Sequence, residues 1–550
     1  MPYQNKLPSR VFDIAVVIIW SFALTLFTYI ANGKKIGIDD ADIFFTYASN
    51  LADGKGLIYS PGIPKVEGYT STLWMLLSFL VFKSGLSENS VWILTLVLFA
   101  LSTLIAFRIL EMSLQRNRLI QAKILYLVII SFSFGYSSWM LLTLMDTTLW
   151  GFLLMAVMYL LISPLNHIKN LALGSLVFFL LPLSRPESIL LIPLIFISIT
   201  IINRKWLTKS LGIYFIVFAT SAISLTIFRI SYFGFPFPNT YYAKVADSLY
   251  FNFISGSFYI ARFLQSSLFA LVALCVSLTY ISWLLYKKYT STVFEIFQST
   301  KLSSNKNFIF LALFILLYFL VTILSGGDHF SLFRIVQPIW PFIVLINIVL
   351  FFRFRNNLTQ VSNSLLVYFT VLFLLLSEFM SSASDTSWTS TAILGRSPIA
   401  HEFDIADGGR LLGNKLNDIF EEFEFAPTVG TVAAGGIART YKGTIYDLMG
   451  LNNSQMAHGS KDREGFRNHA IFDKEIFLSW SVDVVLVSPD SWAMDVALKG
   501  ISSDDKFVSK YQYGCLKKTT QQSSEVCAYF RDEMMAKISE DSNLTFVLFK

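Results

Sequence analysis

The chain of 550 residues is 54% hydrophobic, contains 52 phenylalanines and carries only 15% charged residues, against about 25% in a typical soluble domain. This composition excludes a wholly soluble protein and identifies an integral membrane protein. The net charge of +6 follows from basic loops between apolar runs, and with no phosphate-binding glycine loop or nucleotide fingerprint it gives no case for a nucleic-acid partner.

Apolar runs of about 17 to 25 residues, long enough to cross a bilayer as helices, recur from Val11 to about Met380. The first, 11–31, follows Lys6 and Arg10; it is longer than a signal-peptide core and lacks a small-x-small cleavage site, so it is expected to be a retained helix. The next apolar stretch, 70–82, is short for a crossing and is expected as a juxtamembrane or re-entrant helix within an outer loop, 32–89. Further spans are expected near 90–110, 121–137, 146–163, 170–184, 187–203, 209–232, 258–286, 307–325, 334–352 and 361–380, for a total of about eleven. That parity puts the N-terminus inside together with Arg204, Lys205, Lys287, Lys288, Arg353 and Arg355, as the accumulation of basic residues in cytoplasmic loops requires.

The same parity gathers the polar motifs on the opposite face. The first is the acid pair Asp39-Asp40, in a position where charge is costly unless a proton, a cation or a reaction uses it. Phe44, Tyr47, Ala48 and Leu51 fall at helical spacing behind it, so Asp40 has an alternative reading as a helix N-cap. Capping by Asp40 would leave Asp39 to project, which makes Asp39 the preferred general base of the pair. Further along, Asp146 opens an apolar run and is readable as a capping aspartate. Arg185-Pro-Glu187 sits between two apolar runs, where the charges either serve a site or pair with each other. Lys244 with Tyr241 and Tyr242, and Arg334 after Gly-Gly-Asp328-His329-Phe, supply cations and rings suited to a phosphodiester or a sugar face, or to anchoring at the membrane interface. His329 beside Asp328 is readable as a metal ligand, a proton carrier or a loop residue, and no spacing here makes a strong metal signature.

After 380 the pattern changes. Residues 381–550 are richer in charge and glycine, and Thr444-Ile-Tyr-Asp-Leu-Met and Val482-Asp-Val-Val-Leu-Val read as strands of a soluble α/β domain. Cys515 and Cys527 are able to form a disulfide there if the compartment oxidises, whereas Cys275, inside a span, is expected to pack in the core.

Several segments together resemble a known family. Asp39-Asp-Ala-Asp-Ile-Phe-Phe-Thr-Tyr-Ala-Ser-Asn-Leu-Ala-Asp-Gly-Lys-Gly-Leu-Ile-Tyr and Val66-Glu67-Gly-Tyr69-Thr-Ser-Thr-Leu-Trp74 resemble the first outer loop of GT-C glycosyltransferases related to the mycobacterial terminal arabinofuranosyltransferase. The likeness continues in Leu183-Ser-Arg-Pro-Glu187, Phe237-Pro-Asn239-Thr-Tyr-Tyr-Ala-Lys244, Gly326-Gly-Asp-His329 and Tyr446-Asp-Leu-Met-Gly-Leu-Asn452. Two departures stand out: Leu144-Met-Asp-Thr147 replaces a usual Gly-hydrophobic-Glu-Thr, and Asp42 stands where the family has tyrosine.

The resemblance implies a polytopic, α-helical GT-C-like membrane domain, 1–380, followed by an extracytoplasmic α/β domain, 381–550. It implies an inverting transferase at the outer face of the bacterial inner membrane, with its site and C-terminal domain facing the periplasm. The donor would be a polyprenyl-phosphate-linked sugar, arabinofuranose in the first instance, and the acceptor an envelope glycan or a surface protein such as a pilin, with membrane lipids around it. Asp39 and Asp40 would be catalytic; Lys244, Arg334 and Arg185, in that order, would face the leaving phosphate, with or without a divalent cation. Glu187, Tyr241, Tyr242, Glu67, Tyr69, His329, Asp328, Asp146 and Asn239 complete the expected substrate site. Alternatives are hexose transfer to lipopolysaccharide or O-antigen, a lipid or solute transporter, and an assembly protein.

Overall fold

Apolar helices dominate the computed structural model, which describes residues 7–163, 168–203, 208–245, 248–290, 303–354, 376, 399–423, 425–459, 471–518, 525–538 and 544–548. The chain forms two units, each assembled from three stretches: Met1–Ile36, Asn89–Leu225 and Ser248–Ala400 in the first, and Gly37–Glu88, Thr226–Asp247 and His401–Lys550 in the second. This differs from a division at 380/381, because 37–88 and 226–247 are hydrogen-bonded to the C-terminal residues.

Among the described residues five helices are long and apolar enough to cross a membrane: Arg10–Ala31, Glu88–Ser113, Lys209–Phe233, Lys306–Ser325 and Ser331–Phe352. Two bent pairs raise the number to seven: Arg116–Phe132 with Phe134–Leu142, at 79°, and Leu249–Ser266 with Leu268–Trp283, at 115°. The chain is thus a helical protein suited to several membrane passes, five to seven of them full-length among the described residues. The runs at 146–163, 170–184 and 187–203 form helices of 10–17 residues, and the run at 258–286 is broken at Ser267. The run at 361–380 lies outside the described residues, apart from Leu376. The short run at 70–82 is a 12-residue helix, Thr72–Lys83, in keeping with its reading as a non-crossing element.

The first unit packs around tryptophans whose ring N–H groups are satisfied, which is how a large amphipathic ring tolerates deep burial. Trp139 donates to the Ser331 carbonyl at 2.9 Å, Trp340 to Ser133 Oγ at 2.8 Å and Trp150 to Tyr318 Oη at 3.2 Å. All nine residues of Phe134–Leu142 are buried. Cys275, expected in the core, is exposed: its helix presents it outward.

The second unit holds a six-stranded mixed sheet in the order β2-β1-β3-β5-β4-β6, with β1 Val429–Thr431, β2 Ile445–Asp447, β3 Val484–Val485, β4 Tyr511–Lys518, β5 Glu525–Arg531 and β6 Leu544–Leu548. β1 pairs in parallel with β2 and β3, and the other pairings are antiparallel. The two expected strands are β2 and β3, and Leu448, Phe477, Val482, Val485, Phe507 and Tyr511 pack beside them in the core. Cys515 and Cys527 face each other across β4 and β5 and form a disulfide.

The segment 37–88 joins this unit through side chains. Ser60 Oγ accepts the Ile445 N–H at 2.8 Å. Tyr47 Oη donates to the Val66 carbonyl at 2.8 Å and accepts the Gly68 N–H at 3.1 Å. Gly68 is needed there because a Cβ would collide with the Asn452 side chain.

Candidate functional site

The Asp39–Ala52 helix starts at Asp39 itself; Ile38 holds the cap position and no side chain caps the helix. Asp40 is therefore not the N-cap, because it already lies in the first turn, where Asp39, Asp40 and Asp42 together suit the positive end of the helix dipole. The three acids have three different environments.

Asp39, expected to project, instead accepts two backbone amides: Gly435 N–H at 2.9 Å and Gly436 N–H at 2.7 Å, one on each carboxylate oxygen. These glycines open the Gly435–Thr440 helix, and Gly435 permits the approach because a Cβ there would overlap the Asp39 carbonyl. Burial pushes the Asp39 carboxyl up to about 6; the two amides oppose the rise, Asp40 adds to it, and Arg410 opposes it. Asp39 thus ties two distant segments together.

Asp42 is wholly buried. One oxygen accepts Arg410 Nε at 2.8 Å and the other lies 3.8 Å from Arg439 Nε. Burial raises its carboxyl, against the opposing charge of Arg410. Arg439 also donates to Ser49 Oγ at 2.7 Å, so Asp42 is matched by two arginines that sequence reasoning missed. The signal was present: a carboxylate on the helix face carrying Phe45 and Ser49 requires a cation from elsewhere.

Asp40 faces Lys244. Its Oδ2 lies 3.6 Å from Lys244 Nζ, with the two side chains 18% and 21% exposed. Lys244 ends the short Asn239–Lys244 helix, whose start is set by the fixed φ of Pro238. Asn239 anchors that helix: its N–H donates to the Glu67 carbonyl at 2.9 Å, and its Nδ2 donates to the carbonyls of Gly450 at 2.6 Å and Leu451 at 3.0 Å. Around the helix, Tyr241 packs on Phe237 at 4.9 Å with both rings exposed. Tyr242 packs on His458 at 4.3 Å and Phe235 stacks on the same imidazole at 4.0 Å.

Glu67, expected to bind substrate, is instead committed to a buried forked pair with Arg229, at 2.7 and 3.0 Å, and accepts Thr72 Oγ1 at 3.3 Å. Both partners of the pair are only 2% exposed. Tyr69 is buried against Tyr47 and Phe44. Asp447, in the Tyr446–Asn452 motif, accepts N–H groups from Met449 at 2.9 Å and Asn452 at 2.8 Å and the Asn452 side-chain amide at 2.9 Å. Burial lifts its carboxyl to about 6, the Asn452 and Met449 bonds oppose this, and Asp39 adds to it.

The remaining expected residues lie in the other unit and form their own clusters. Arg185 is committed to two acids: Nε and Nη2 donate to Glu187 at 3.0 and 2.8 Å, and Nη1 to both Asp146 oxygens at 3.1 and 3.2 Å. Asp146 occupies a cap position but makes no side-chain cap bond, its carboxylate being drawn to Arg185. Arg334 donates through Nε to Asp328 at 2.7 Å and lies over the Phe330 ring at 3.9 Å. His329 Nδ1 is 3.2 Å from Asp328 Oδ1. Leu332 and Phe333 both take left-handed backbone conformations just before Arg334, a strained turn of the kind that aims a side chain. Among the described residues no three His, Cys, Asp or Glu side chains group as ligands for a metal ion.

No protein-family model matches this sequence, and no curated protein matches it.

Proposed function

We propose that the chain is a polyprenyl-phosphate-sugar-dependent glycosyltransferase of the GT-C type, transferring a sugar, arabinofuranose in the first instance, to an envelope glycan or surface protein. The observation that carries this reading is the Asp40–Lys244 pair: a partly exposed carboxylate and ammonium 3.6 Å apart, brought together from separate segments. A displacement at an anomeric carbon needs these two groups, one to take a proton and one to receive developing phosphate charge.

In this reading the acceptor hydroxyl oxygen attacks the anomeric carbon while the bond from that carbon to the phosphate oxygen breaks. The hydroxyl proton passes to Asp40, and polyprenyl phosphate leaves with its new negative charge near Lys244. One displacement inverts the anomeric centre. Binding of the donor phosphate draws Lys244 away from Asp40 and so raises the basicity of Asp40 when the acceptor arrives. We assign the base to Asp40 because it lies beside Lys244, whereas Asp39 accepts the Gly435 and Gly436 amides and joins its helix to theirs. Asp39 becomes the residue that positions the helix carrying Asp40.

The Cys515–Cys527 disulfide supports an oxidising, extracytoplasmic location for the second unit, where a lipid-linked donor replaces nucleotide sugars. The test is transfer by purified protein in nanodiscs supplied with synthetic decaprenyl-phosphoryl-arabinofuranose or decaprenyl-phosphoryl-glucose and extracted envelope acceptors. Lipid-phosphate release coupled to a pentose on the acceptor is the expected result. Transfer of the hexose alone would correct the sugar, and no transfer of either, by protein shown to be folded, contradicts the reading.

A further inference from the structure

The Leu249–Ser266 helix lies wholly in the first unit and has two unlike faces. Its inner face is fitted to the protein. Gly256 lies so close to Ile323 that a Cβ would meet the Ile323 carbonyl oxygen. Tyr259 packs on Phe333 at 5.4 Å and accepts the Ile335 N–H at 3.3 Å, and Phe263 packs on Phe319 at 6.0 Å. The outer face is bare among the described residues: Tyr250, Phe251 and Phe258 are 77%, 51% and 63% exposed, and Leu249, Phe253 and Ile254 are exposed with them. An apolar surface of this extent marks a contact with an apolar partner.

The neighbouring helices identify that partner. The Leu268–Thr290 helix has 23 residues and no charged residue before Lys287. At about 1.5 Å per residue it is long enough to cross a bilayer without help from Leu249–Ser266. It runs beside the Lys306–Ser325 span, because Tyr280 meets Phe308 near the start of that span at 4.8 Å. Gly256, on the other side of the break at Ser267, meets Ile323 near the end of the same span. Leu249–Ser266 therefore sits at the level where the span ends, and the 115° bend, 25° past a right angle, turns it away from the crossing direction. Tyrosine suits this level, since its ring is apolar and its hydroxyl reaches headgroups. Arg262, four residues after Phe258 and exposed on the same face, has the reach to place its guanidinium among lipid phosphates while its stem stays in the apolar layer.

We propose that Leu249–Ser266 is a surface-lying membrane helix whose outer face rests in the headgroup and upper acyl layer of a phospholipid leaflet, and that Leu268–Thr290 alone makes the crossing. The inference is independent of the transferase reading.

Spin labels on Tyr250→Cys, Ile254→Cys and Phe258→Cys, in full-length protein carrying Cys275→Ala, test it. Depth is read in nanodiscs of phosphatidylethanolamine and phosphatidylglycerol from accessibility to oxygen relative to an aqueous nickel chelate. Leu271→Cys and Leu278→Cys, at exposed positions of the crossing helix, give the scale. The three outer-face labels are expected to be reached by oxygen and to lie within about 5 Å of one another in depth, the rise of eight helical residues inclined by 25°. The two labels on the crossing helix should differ by about 10 Å. A difference of about 11–12 Å between residues 250 and 258 is that of a crossing helix and overturns the proposal. Access to the nickel chelate alone, shielding from both reagents as a second copy of the chain would cause, or equal depths at residues 271 and 278 overturns it too. Where one labelled variant fails to fold, the change in depth per residue is read from the other two.

Discussion

In the unit built mostly of membrane-length helices, charge is spent on holding the fold: Arg185 faces Asp146 and Glu187 together, and Arg334 is drawn onto Asp328. The unit carrying the sheet contains equally committed pairs, Glu67 with Arg229 and Asp42 with Arg410, but it also contains Asp40 and Lys244, which are longer and partly exposed. A guanidinium committed to two buried acids has little to offer a phosphate without breaking a buried pair, whereas a longer, partly exposed lysine–aspartate contact exchanges partners at smaller cost. The comparison gives a physical reason for the order in which Lys244 is expected ahead of Arg185 at the phosphate.

The sharpest way to break this contrast is to neutralise one member of each kind of pair. Asp40→Asn should lower the transfer rate by about 10²- to 10⁴-fold with stability within about 0.5 kcal/mol of wild type, read from turnover and thermal unfolding on the same nanodisc preparation. Loss of folding rather than of turnover would place Asp40 among the structural charges. Arg229→Met should do the reverse. Leaving Glu67 buried and unpaired is expected to cost about 3–5 kcal/mol, visible as a large fall in Tm, and an unchanged Tm would show that the pair does not hold the unit.

Asp447 sharpens the comparison through pH. Its carboxyl sits near 6 in the folded protein against an ordinary 3.8, so the folded state binds this proton more tightly than the unfolded chain does. The stabilising contribution is fully present below pH about 3.8 and is lost as pH rises through 6, a difference of about 3 kcal/mol by pH 7. The stability of Asp447→Asn relative to wild type should therefore improve by up to that amount between pH 4 and 7, and a constant difference across that range would contradict the assignment. The smallest effect is expected from the sheet. Replacing Cys515 and Cys527 by serine opens a loop with a sequence separation of 12 and should cost about 2–3 kcal/mol without altering donor affinity.

How much of this was legible in the sequence depended on range. The helix at Thr72–Lys83 and the strands at Ile445–Asp447 and Val484–Val485 were readable because length and alternation are local properties. Hydropathy does not register a bend: Ser133 and Ser267 interrupt apolar runs that look continuous. The role of Asp39 was not legible because its partner, Gly436, is 397 residues away. The same holds for Arg410 and Arg439, whose meaning appears only once Asp42 is known to be buried between them. The Glu67–Arg229 pair joins an acid from the segment after the first apolar run to a cation inside a later one, a pairing that spacing alone does not report.

The central claim, that Asp40 is the base of an outer-face sugar transfer while Asp39 only positions it, is tested most directly by mass spectrometry. Envelope glycans and surface proteins would be compared in cells carrying wild-type protein, Asp40→Asn or Asp39→Asn at matched expression. The account predicts that a sugar increment, a pentose in the first instance, disappears with Asp40→Asn and is reduced but present with Asp39→Asn. The opposite ranking, or no difference between wild type and Asp40→Asn despite confirmed expression, would contradict it.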